Sequence, residues 1–302
     1  MPFQLKGDIA QLFLGTDCGY YITQDGKLYV WGESVSGSLG VGEKTRKRLH
    51  LIPESLDLPN PITKISSKGW CTISLAEDGT LLRAGMRAEG FTHSMDTSLN
   101  YIEPLQPLAT SFEEFPTPET IVDIACGSSN YVVLGESGRV YITGLLGNYY
   151  EPCRYEEWTE IPFPCPVSKI YASSEAVWAL GIDNTLYGFG SNNIDAILYP
   201  CEHDYDFTEE PIVLFENVKD ASMGNGSYLV LTMDGNCYAW GWNAYGQLGL
   251  GKEYVTGEDS VIYKPLLVDL PEPAVQVSNG RTTSMALGES GQVYVWGRNN
   301  FN

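Results

Sequence analysis

The sequence predicts an all-β protein built as a β-propeller with six recognisable blades. Three observations lead to this prediction: a short phrase recurs six times, its period is about 50 residues, and helical periodicity is weak throughout. In each copy of the phrase a two-residue turn comes first, and a closing glycine follows six positions after the second turn residue. The closing glycines are Gly32, Gly85, Gly144, Gly190, Gly241 and Gly297.

Each copy of the phrase predicts a β-hairpin. The turn pairs are Asp25-Gly26, Asp78-Gly79, Ser137-Gly138, Asp183-Asn184, Asp234-Gly235 and Ser290-Gly291. The second residue of such a turn needs a positive φ, which glycine adopts freely and asparagine next most readily. Apolar runs flank the turns, as in residues 131–134 and 139–142. Because the strand after the turn is often apolar on both faces, we expect it to be covered on both faces.

Two further strands complete each predicted blade. A third strand precedes each hairpin, as in residues 218–222. A fourth strand, led by proline, precedes the next unit, as in residues 211–215 and 265–268. Three or four antiparallel strands repeated six times, each set buried by its neighbours, are typical of a propeller.

The two ends of the sequence suggest how the ring closes. The last copy stops after its Trp-Gly strand, while residues 2–5 (Pro-Phe-Gln-Leu) form a short proline-led apolar segment. We expect this segment to pair with the last unit and remove exposed strand edges, giving a single domain over residues 1–302. A six-bladed ring, a seventh degenerate blade and a longer natural chain all stay open.

The charge balance limits the class of partner. The chain has 18 Lys+Arg and 38 Asp+Glu, a formal net charge of −20. DNA, RNA and anionic lipid need a positive surface, so none is expected as a main partner. No apolar run reaches about 18 residues and the start does not resemble a signal peptide, so we expect a cytoplasmic or nuclear protein. We also expect a monomer.

The sequence also gives no sign of metal, cofactor or catalytic chemistry. The seven cysteines are scattered without a Cys-x-x-Cys pair and the three histidines lie far apart, so we expect reduced thiols and no zinc site. A phosphate-binding loop, a Gly-x-Ser-x-Gly elbow and a His-Glu-x-x-His motif are all missing from the sequence. We therefore predict a protein that is not an enzyme, with guanine-nucleotide exchange left open.

Residues 228–251 and the stretch from Trp31-Gly32 through residues 37–42 resemble the RCC1 repeat family. The resemblance covers nearly the whole chain, although Ala84, Thr143 and Phe189 stand where the repeat carries tryptophan. The founding member of that family is a guanine-nucleotide exchange factor for the GTPase Ran. The resemblance therefore implies an RCC1-like propeller and a protein partner. The fold alone is not evidence of nucleotide exchange.

Two functional patterns of the family do not carry over directly. In the exchanger an aspartate directly after a unit's first glycine contributes to exchange, whereas here Asp17 lies one place later. Plant ultraviolet receptors of the family carry Gly-Trp-Arg-His-Thr clusters, and only the segment around Trp70 comes near. Light sensing is not expected, and both residues are kept as candidate partner contacts.

Three segments are candidates for partner binding. Residues 44–48 form a basic cluster, residues 202–210 an acidic loop, and residues 112–118 a proline-broken loop with aromatic residues inside the longest insertion. Each also has a plain structural interpretation, as a solvated loop or as a cover for the adjacent blade, just as Trp31, Trp240 and Trp296 are expected to pack between blades. The full candidate set is Asp17, Lys44, Arg46, Lys47, Arg48, Trp70, Phe112, Glu113, Glu114, Phe115, Asp204, Asp206, Glu209 and Glu210.

The sequence thus favours a protein–protein interaction platform that binds or regulates a small GTPase of Ran or Rab type through one acidic rim. Two alternatives stay open: an active exchange factor for a Ran-like GTPase, and an inhibitor or adaptor that docks on an enzyme, such as a bacterial effector. Release of bound GDP from a panel of GTPases would separate exchange from plain binding.

Overall fold

The computed structural model describes residues 5–15, 18–34, 37–42, 49–69, 71–85, 109–147, 153–192, 207–254 and 260–298. The chain divides into two compact units. The first comprises Met1–Leu146 with Cys153–Glu160, and the second comprises Gly147–Pro152 with Ile161–Asn302.

The first unit holds three four-stranded antiparallel sheets, each with its strands in sequence order. The first sheet contains β1 (Ile9–Leu14), β2 (Cys18–Thr23), β3 (Leu28–Glu33) and β4 (Leu49–Ser55). The second sheet contains β5 (Ile62–Lys68), β6 (Cys71–Ala76), β7 (Leu81–Gly85) and β8 (Ala109–Glu114). The third sheet contains β9 (Ile121–Cys126), β10 (Asn130–Gly135), β11 (Val140–Leu146) and β12 (Cys153–Ile161).

The second unit holds two four-stranded sheets and one of three described strands. The fourth sheet contains β13 (Val167–Ala172), β14 (Ala176–Gly181), β15 (Leu186–Ser191) and β16 (Phe207–Phe215). The fifth sheet contains β17 (Val218–Met223), β18 (Ser227–Thr232), β19 (Cys237–Trp242) and β20 (Val261–Leu267), with a 3-10 turn at Lys252–Tyr254 between its last two strands. The sixth sheet contains β21 (Ala274–Asn279), β22 (Thr283–Gly288) and β23 (Val293–Gly297).

The predicted hairpins are confirmed in all six sheets, which are the six blades that the repeat predicts. Every second turn residue has a positive φ, from 62° at Asn184 to 85° at Gly79. Each closing glycine also has a positive φ and pairs with the first residue of the preceding strand, as Gly32 does with Cys18 and Gly241 with Ser227. The all-β propeller class therefore follows from local turn chemistry repeated at a fixed spacing.

Within each unit, successive sheets pack face against face. We call the face that contacts the next sheet in the sequence the following face, and the opposite one the preceding face. In the second unit, Trp178 and Leu180 of the fourth sheet pack with Val218 and Tyr228 of the fifth sheet in one buried cluster. In the first unit, Ile73 of the second sheet packs in the same way with Ile124 of the third sheet. The core of each unit is thus a series of such interfaces.

Polar contacts also join neighbouring sheets. Lys64 Nζ lies 2.7 Å from an Asp123 carboxylate oxygen, and Lys169 Nζ lies 2.6 Å from one of Asp220. Both pairs link third residues of adjacent first strands, so an ion pair recurs at one position of the repeat. In the same way, buried Tyr20 of the first sheet bonds with Thr72 of the second sheet at 3.2 Å.

The predicted packing of the tryptophans holds in detail for two of the three. Trp240 stacks on Trp178 of the preceding sheet, and Trp296 Nε1 donates to the Gln247 carbonyl of the preceding sheet's β19–β20 connection at 2.9 Å. Trp31 packs over Gly19 and beside Tyr21. The predicted closing segment, residues 2–5, falls almost wholly outside the described residues, and its pairing and the single domain stay predictions.

Among the described residues, no helix is long and apolar enough to cross a membrane.

Candidate protein-binding surface

An aromatic pair joins the second and third sheets of the first unit at their outer strands. The rings of Phe115, just after β8, and Trp158, in β12, have centroids 4.8 Å apart. Trp158 Nε1 donates to the Pro116 carbonyl oxygen at 2.7 Å, and the Phe115 ring meets Tyr131 edge-on. Both Phe115 and Trp158 remain half-buried. A rigid aromatic pair with one face open to solvent is a common anchor of protein interfaces.

Arg83 of β7 lies under this pair. Its Cζ stands 4.2 Å from the centre of the Phe115 ring, and its Nε donates to Glu113 at 2.9 Å. Arg83 and Glu113 are also direct partners in the β7–β8 ladder. Because Arg83 is buried, Glu113 compensates a charge that would otherwise be costly there. The cation thus supports the aromatic ring from within the protein.

Exposed carboxylates lie on the same two outer strands. Glu114 ends β8, and Glu156, Glu157 and Glu160 lie along β12; all four carboxylates are exposed. Glu156 and Glu160 make only long ion pairs in the described part of the chain, of 3.6 Å with Arg154 and 3.9 Å with Arg139. We call Glu114, Phe115, Glu156, Glu157, Trp158 and Glu160 the acidic aromatic surface. Such a composition suits a partner whose contact surface is basic.

The structure locates the predicted segment 112–115 at this surface. Phe112 is half-buried and packs with the core formed by the first and second sheets. Glu113 is held by Arg83, whereas Glu114 is exposed and Phe115 is half-buried. The segment therefore both covers the neighbouring sheet and contributes to an accessible surface.

The other predicted contacts are only partly described. Glu210 is exposed in β16, and the side chain of Glu209 lies outside the described residues. Asp17, Lys44, Arg46, Lys47, Arg48, Trp70, Asp204 and Asp206 also fall outside them. Those residues stay candidates from the sequence alone.

Sequence reasoning misses Trp158 and Arg83. The signal for Trp158 is the segment 153–160, where aromatic residues are interleaved with charged ones on a strand that follows a hairpin. Arg83 stands inside an otherwise apolar strand, Leu-Leu-Arg-Ala-Gly, and a charge there needs a partner. Neither signal reveals that the two side chains meet the same phenylalanine.

No group of three His, Cys, Asp or Glu residues in the described part of the chain could hold a metal ion. Burial raises the pKa of both the Cys71 and the Cys237 thiol to about 12, so these two are not nucleophiles at neutral pH.

Comparison with known proteins gives the family of the repeat. The profile of the "Regulator of chromosome condensation (RCC1) repeat" matches residues 234–287, and a second profile of the same description matches residues 121–150 and 218–247. These segments contain the first three strands of the third sheet, all four strands of the fifth sheet, and β21 with most of β22 in the sixth sheet. The chain contains RCC1 repeats.

Relatives of known name share these repeats at low identity. The chain is 24% identical over 307 residues to the human E3 ubiquitin-protein ligase HERC2, covering 97% of this chain and 6% of that protein. It is 28% identical over 205 residues to Protein RCC1 of Candida albicans, covering 62% of this chain and 43% of that protein. The chain thus spans less than half the length of either relative.

Solved RCC1 structures have the same fold. Prp20p from Saccharomyces cerevisiae matches 96% of this chain and 72% of its own, with a TM-score of 0.77 and 20% identity. That crystal structure was described together with the binding of Prp20p to Gsp1p and histones. At this identity the likeness establishes the propeller fold of the RCC1 repeats.

Proposed function

We propose that this RCC1-repeat protein is a non-catalytic platform that binds a basic surface of a protein partner. The observation that carries the proposal is the half-buried Phe115–Trp158 pair, with the exposed carboxylates of Glu156 and Glu160 on the same strand as Trp158. Aromatic anchors supply contact area at low entropic cost, and the surrounding carboxylates speed the encounter with a cationic surface. The net charge of −20 also attracts a basic partner at long range.

The partner we test first is a small GTPase of the Ran or Rab type, which would act with this protein in the cytoplasm or nucleus. Support comes from Prp20p, a structural neighbour for which binding to Gsp1p is described, and from the similarity to Protein RCC1. Active nucleotide exchange is the second candidate, and the same relatives favour it. Docking on an enzyme as an inhibitor or adaptor is the third candidate.

The test measures binding and exchange separately. Purified Ran, Rab and Rho proteins loaded with fluorescent GDP are titrated with the full chain, and complex formation and GDP release are followed in parallel. We expect binding to at least one GTPase without faster GDP release. Faster release would establish the exchange alternative, and binding to none of the GTPases would overturn the GTPase assignment.

Charge reversal then tests the surface. The variant Glu114→Lys/Glu156→Lys/Glu160→Lys reverses three charges of the acidic aromatic surface, and we expect it to weaken binding about tenfold or more, mainly by slower association. The matched control Glu77→Lys/Glu136→Lys/Glu289→Lys makes the same change at three exposed residues that precede hairpin turns. Equal losses in both variants would show a general charge effect and refute the assigned surface.

A further inference from the structure

Five Asn-Gly or Asp-Gly pairs stand in the sequence, at residues 25–26, 78–79, 225–226, 234–235 and 279–280. In such a pair the backbone nitrogen of the glycine can attack the side-chain carbonyl carbon of the preceding residue and form a succinimide ring. Glycine favours the reaction because it has no side chain to hinder the approach. Whether a pair reacts in the folded protein depends on the freedom of the glycine N–H and on that of the side chain before it.

Four of the five pairs have their glycine N–H engaged in a hydrogen bond. In the three Asp-Gly turns this N–H donates to the backbone carbonyl three residues earlier, at 2.8 Å for Gly26, 3.0 Å for Gly79 and 3.0 Å for Gly235. In the fourth pair the Gly280 N–H donates to the Thr283 carbonyl at 2.9 Å. A nitrogen held in this way cannot attack until the turn opens.

The side chain of Asn279, which precedes Gly280, is also fixed. Its Nδ2 donates to the backbone carbonyl oxygen of Ser227 at 2.6 Å and lies 3.2 Å from the Ser227 hydroxyl. These contacts join the sixth sheet to the fifth sheet within the second unit. Attack on this side chain requires both its own bonds and the Gly280 bond to break, so we expect the pair to be protected.

The pair Asn225-Gly226 differs in both respects. Asn225 is exposed in the β17–β18 turn, and its side chain has no hydrogen-bond partner among the described residues. The Gly226 N–H has no partner there either, because the turn bond is made by Gly224, whose N–H donates to the Ser227 carbonyl at 2.9 Å. Exposed side chains change rotamer rapidly. The amide and the attacking nitrogen are therefore both available.

The position of the dipeptide in the turn explains this difference. Gly224 and Gly280 are equivalent residues of the repeat, and the N–H of each donates to the carbonyl three residues later. The pair 225–226 begins one residue after this position, whereas the pair 279–280 ends on it. A shift of two residues thus leaves one copy of the dipeptide free and fixes the other.

We propose that Asn225 is a site of spontaneous covalent modification, at which water converts the side-chain amide to a carboxylate through a succinimide formed with Gly226. The Gly226 nitrogen loses its proton and bonds to Cγ of Asn225, and the side-chain nitrogen leaves as ammonia. Water then opens the ring at either of its two carbonyls and returns a hydrogen to the Gly226 nitrogen. The products are aspartate and isoaspartate, with one water taken up and one ammonia released. This modification does not depend on the proposed binding function.

The two products affect the fifth sheet differently. Aspartate adds one negative charge to the formal net charge of −20. Isoaspartate carries the main chain through the former side chain and so adds a methylene group to the turn. The Gly226 carbonyl accepts the Trp242 N–H at 2.6 Å, and a Cβ on Gly241 would collide with the same oxygen, so the turn packs closely against the end of β19. We therefore expect the isoaspartyl form to unfold at a lower urea concentration than the parent.

Mass spectrometry of the full chain during incubation at neutral pH tests the proposal. Digests taken at intervals show which asparagine amides have become carboxylic acids, and labelled methyl transfer by a protein-isoaspartyl methyltransferase measures the isoaspartyl product. In the native chain we expect conversion at Asn225 and conversion slower by about tenfold or more at Asn279, which must wait for local opening. In concentrated urea both sites should react at similar rates. Equal rates at the two sites of the native chain, or a native Asn225 that stays intact while the unfolded chain reacts, would overturn the proposal.

Two variants test the role of the position in the turn. Asn225→Ser should abolish the modification of the fifth-sheet turn and leave Asn279 intact. Arg281→Asn/Thr282→Gly places the dipeptide at the equivalent position of the sixth-sheet turn, where the new asparagine should react within a few-fold of the rate of Asn225. Thr282 accepts the Arg298 N–H at 2.8 Å through its backbone carbonyl, a bond that glycine keeps. An unreactive transplanted pair in a folded variant would refute the inference.

Discussion

Glu119 and Ser137 are joined by two hydrogen bonds that close the hairpin turn of the third sheet. The Ser137 backbone N–H donates to Glu119 at 3.1 Å, and its hydroxyl donates at 2.6 Å. The sixth sheet repeats the arrangement with Glu272 and Ser290, at 2.8 and 2.6 Å. Where the turn begins with aspartate, the partner is asparagine in two sheets: Asn60 donates to Asp78 at 2.7 Å and Asn217 to Asp234 at 2.8 Å. In these four sheets the turn residue and a residue 17 or 18 positions earlier are therefore chemically matched.

The two glutamates make stability depend on acid pH. Hydrogen bonds from Ser137 hold the pKa of Glu119 below its usual value, and those from Ser290 do the same for Glu272. A carboxyl with a lowered folded-state pKa stabilises the fold above its unfolded pKa of about 4.3, and that contribution is lost as pH falls through the folded pKa. We expect Glu119→Gln/Glu272→Gln to melt below the parent at pH 7, with the difference shrinking toward pH 3.

Thermal melts of parent and variant from pH 7 to pH 3 check this expectation. The control Glu216→Gln neutralises an exposed carboxylate just after β16, and its melting curve should follow the parent at every pH. A difference between the double variant and the parent that stays constant with pH would show that ionisation of the glutamates does not contribute.

Exchange of partner types tests the matching itself. Asn60→Glu places a carboxylate against Asp78, 18 positions later, and should destabilise the protein because the two like charges repel. Adding Asp78→Ser recreates the Glu–Ser pair of the third and sixth sheets at the same spacing and should restore most of that loss. Urea unfolding of the parent, both single variants and the double variant measures the coupling; additive effects would contradict the matching.

Two glycines of the sixth-sheet hairpin separate backbone strain from steric clash. Gly291 has φ +84° with open space where a side-chain methyl would stand, whereas at Gly297, with φ +109°, a Cβ would collide with the Thr282 carbonyl oxygen. We expect Gly291→Ala to cost about 1 kcal/mol and Gly297→Ala about 3 kcal/mol, the excess being the clash. Urea unfolding compares the two, and equal losses would show that φ alone decides.

The sequence predicts local structure well because the turn chemistry is local. Asp183-Asn184 is recognisable as a turn without a glycine, since asparagine tolerates a positive φ, and Asn184 has φ 62°. Likewise the strand 218–222 is predicted from its place before a hairpin and is β17 with one further residue. Fixed spacing carries those predictions from one repeat to the next.

The candidate surface is only half predictable for a physical reason. Composition identifies the segment 112–115, but the contact of Phe115 with Trp158 depends on how two sheets pack, and no local pattern connects the two rings.

The Trp178–Trp240 stack is the strongest test of the inter-sheet packing in the second unit. The rings lie 5.4 Å apart at 16° between the fourth and fifth sheets, and both are fully buried. Trp178→Ala and Trp240→Ala should each cost about 3–5 kcal/mol, since each leaves a large cavity. The double variant should lose about 1 kcal/mol or more less stability than the sum of the two single losses, because the first substitution has already removed the ring contact that the second would break. Chemical unfolding of the parent, both single variants and the double variant measures this coupling.

The control Trp242→Ala removes a partly exposed ring that meets Tyr245 edge-on and should cost clearly less stability. Additive losses for the buried pair would mean that the two sheets are held together by other contacts.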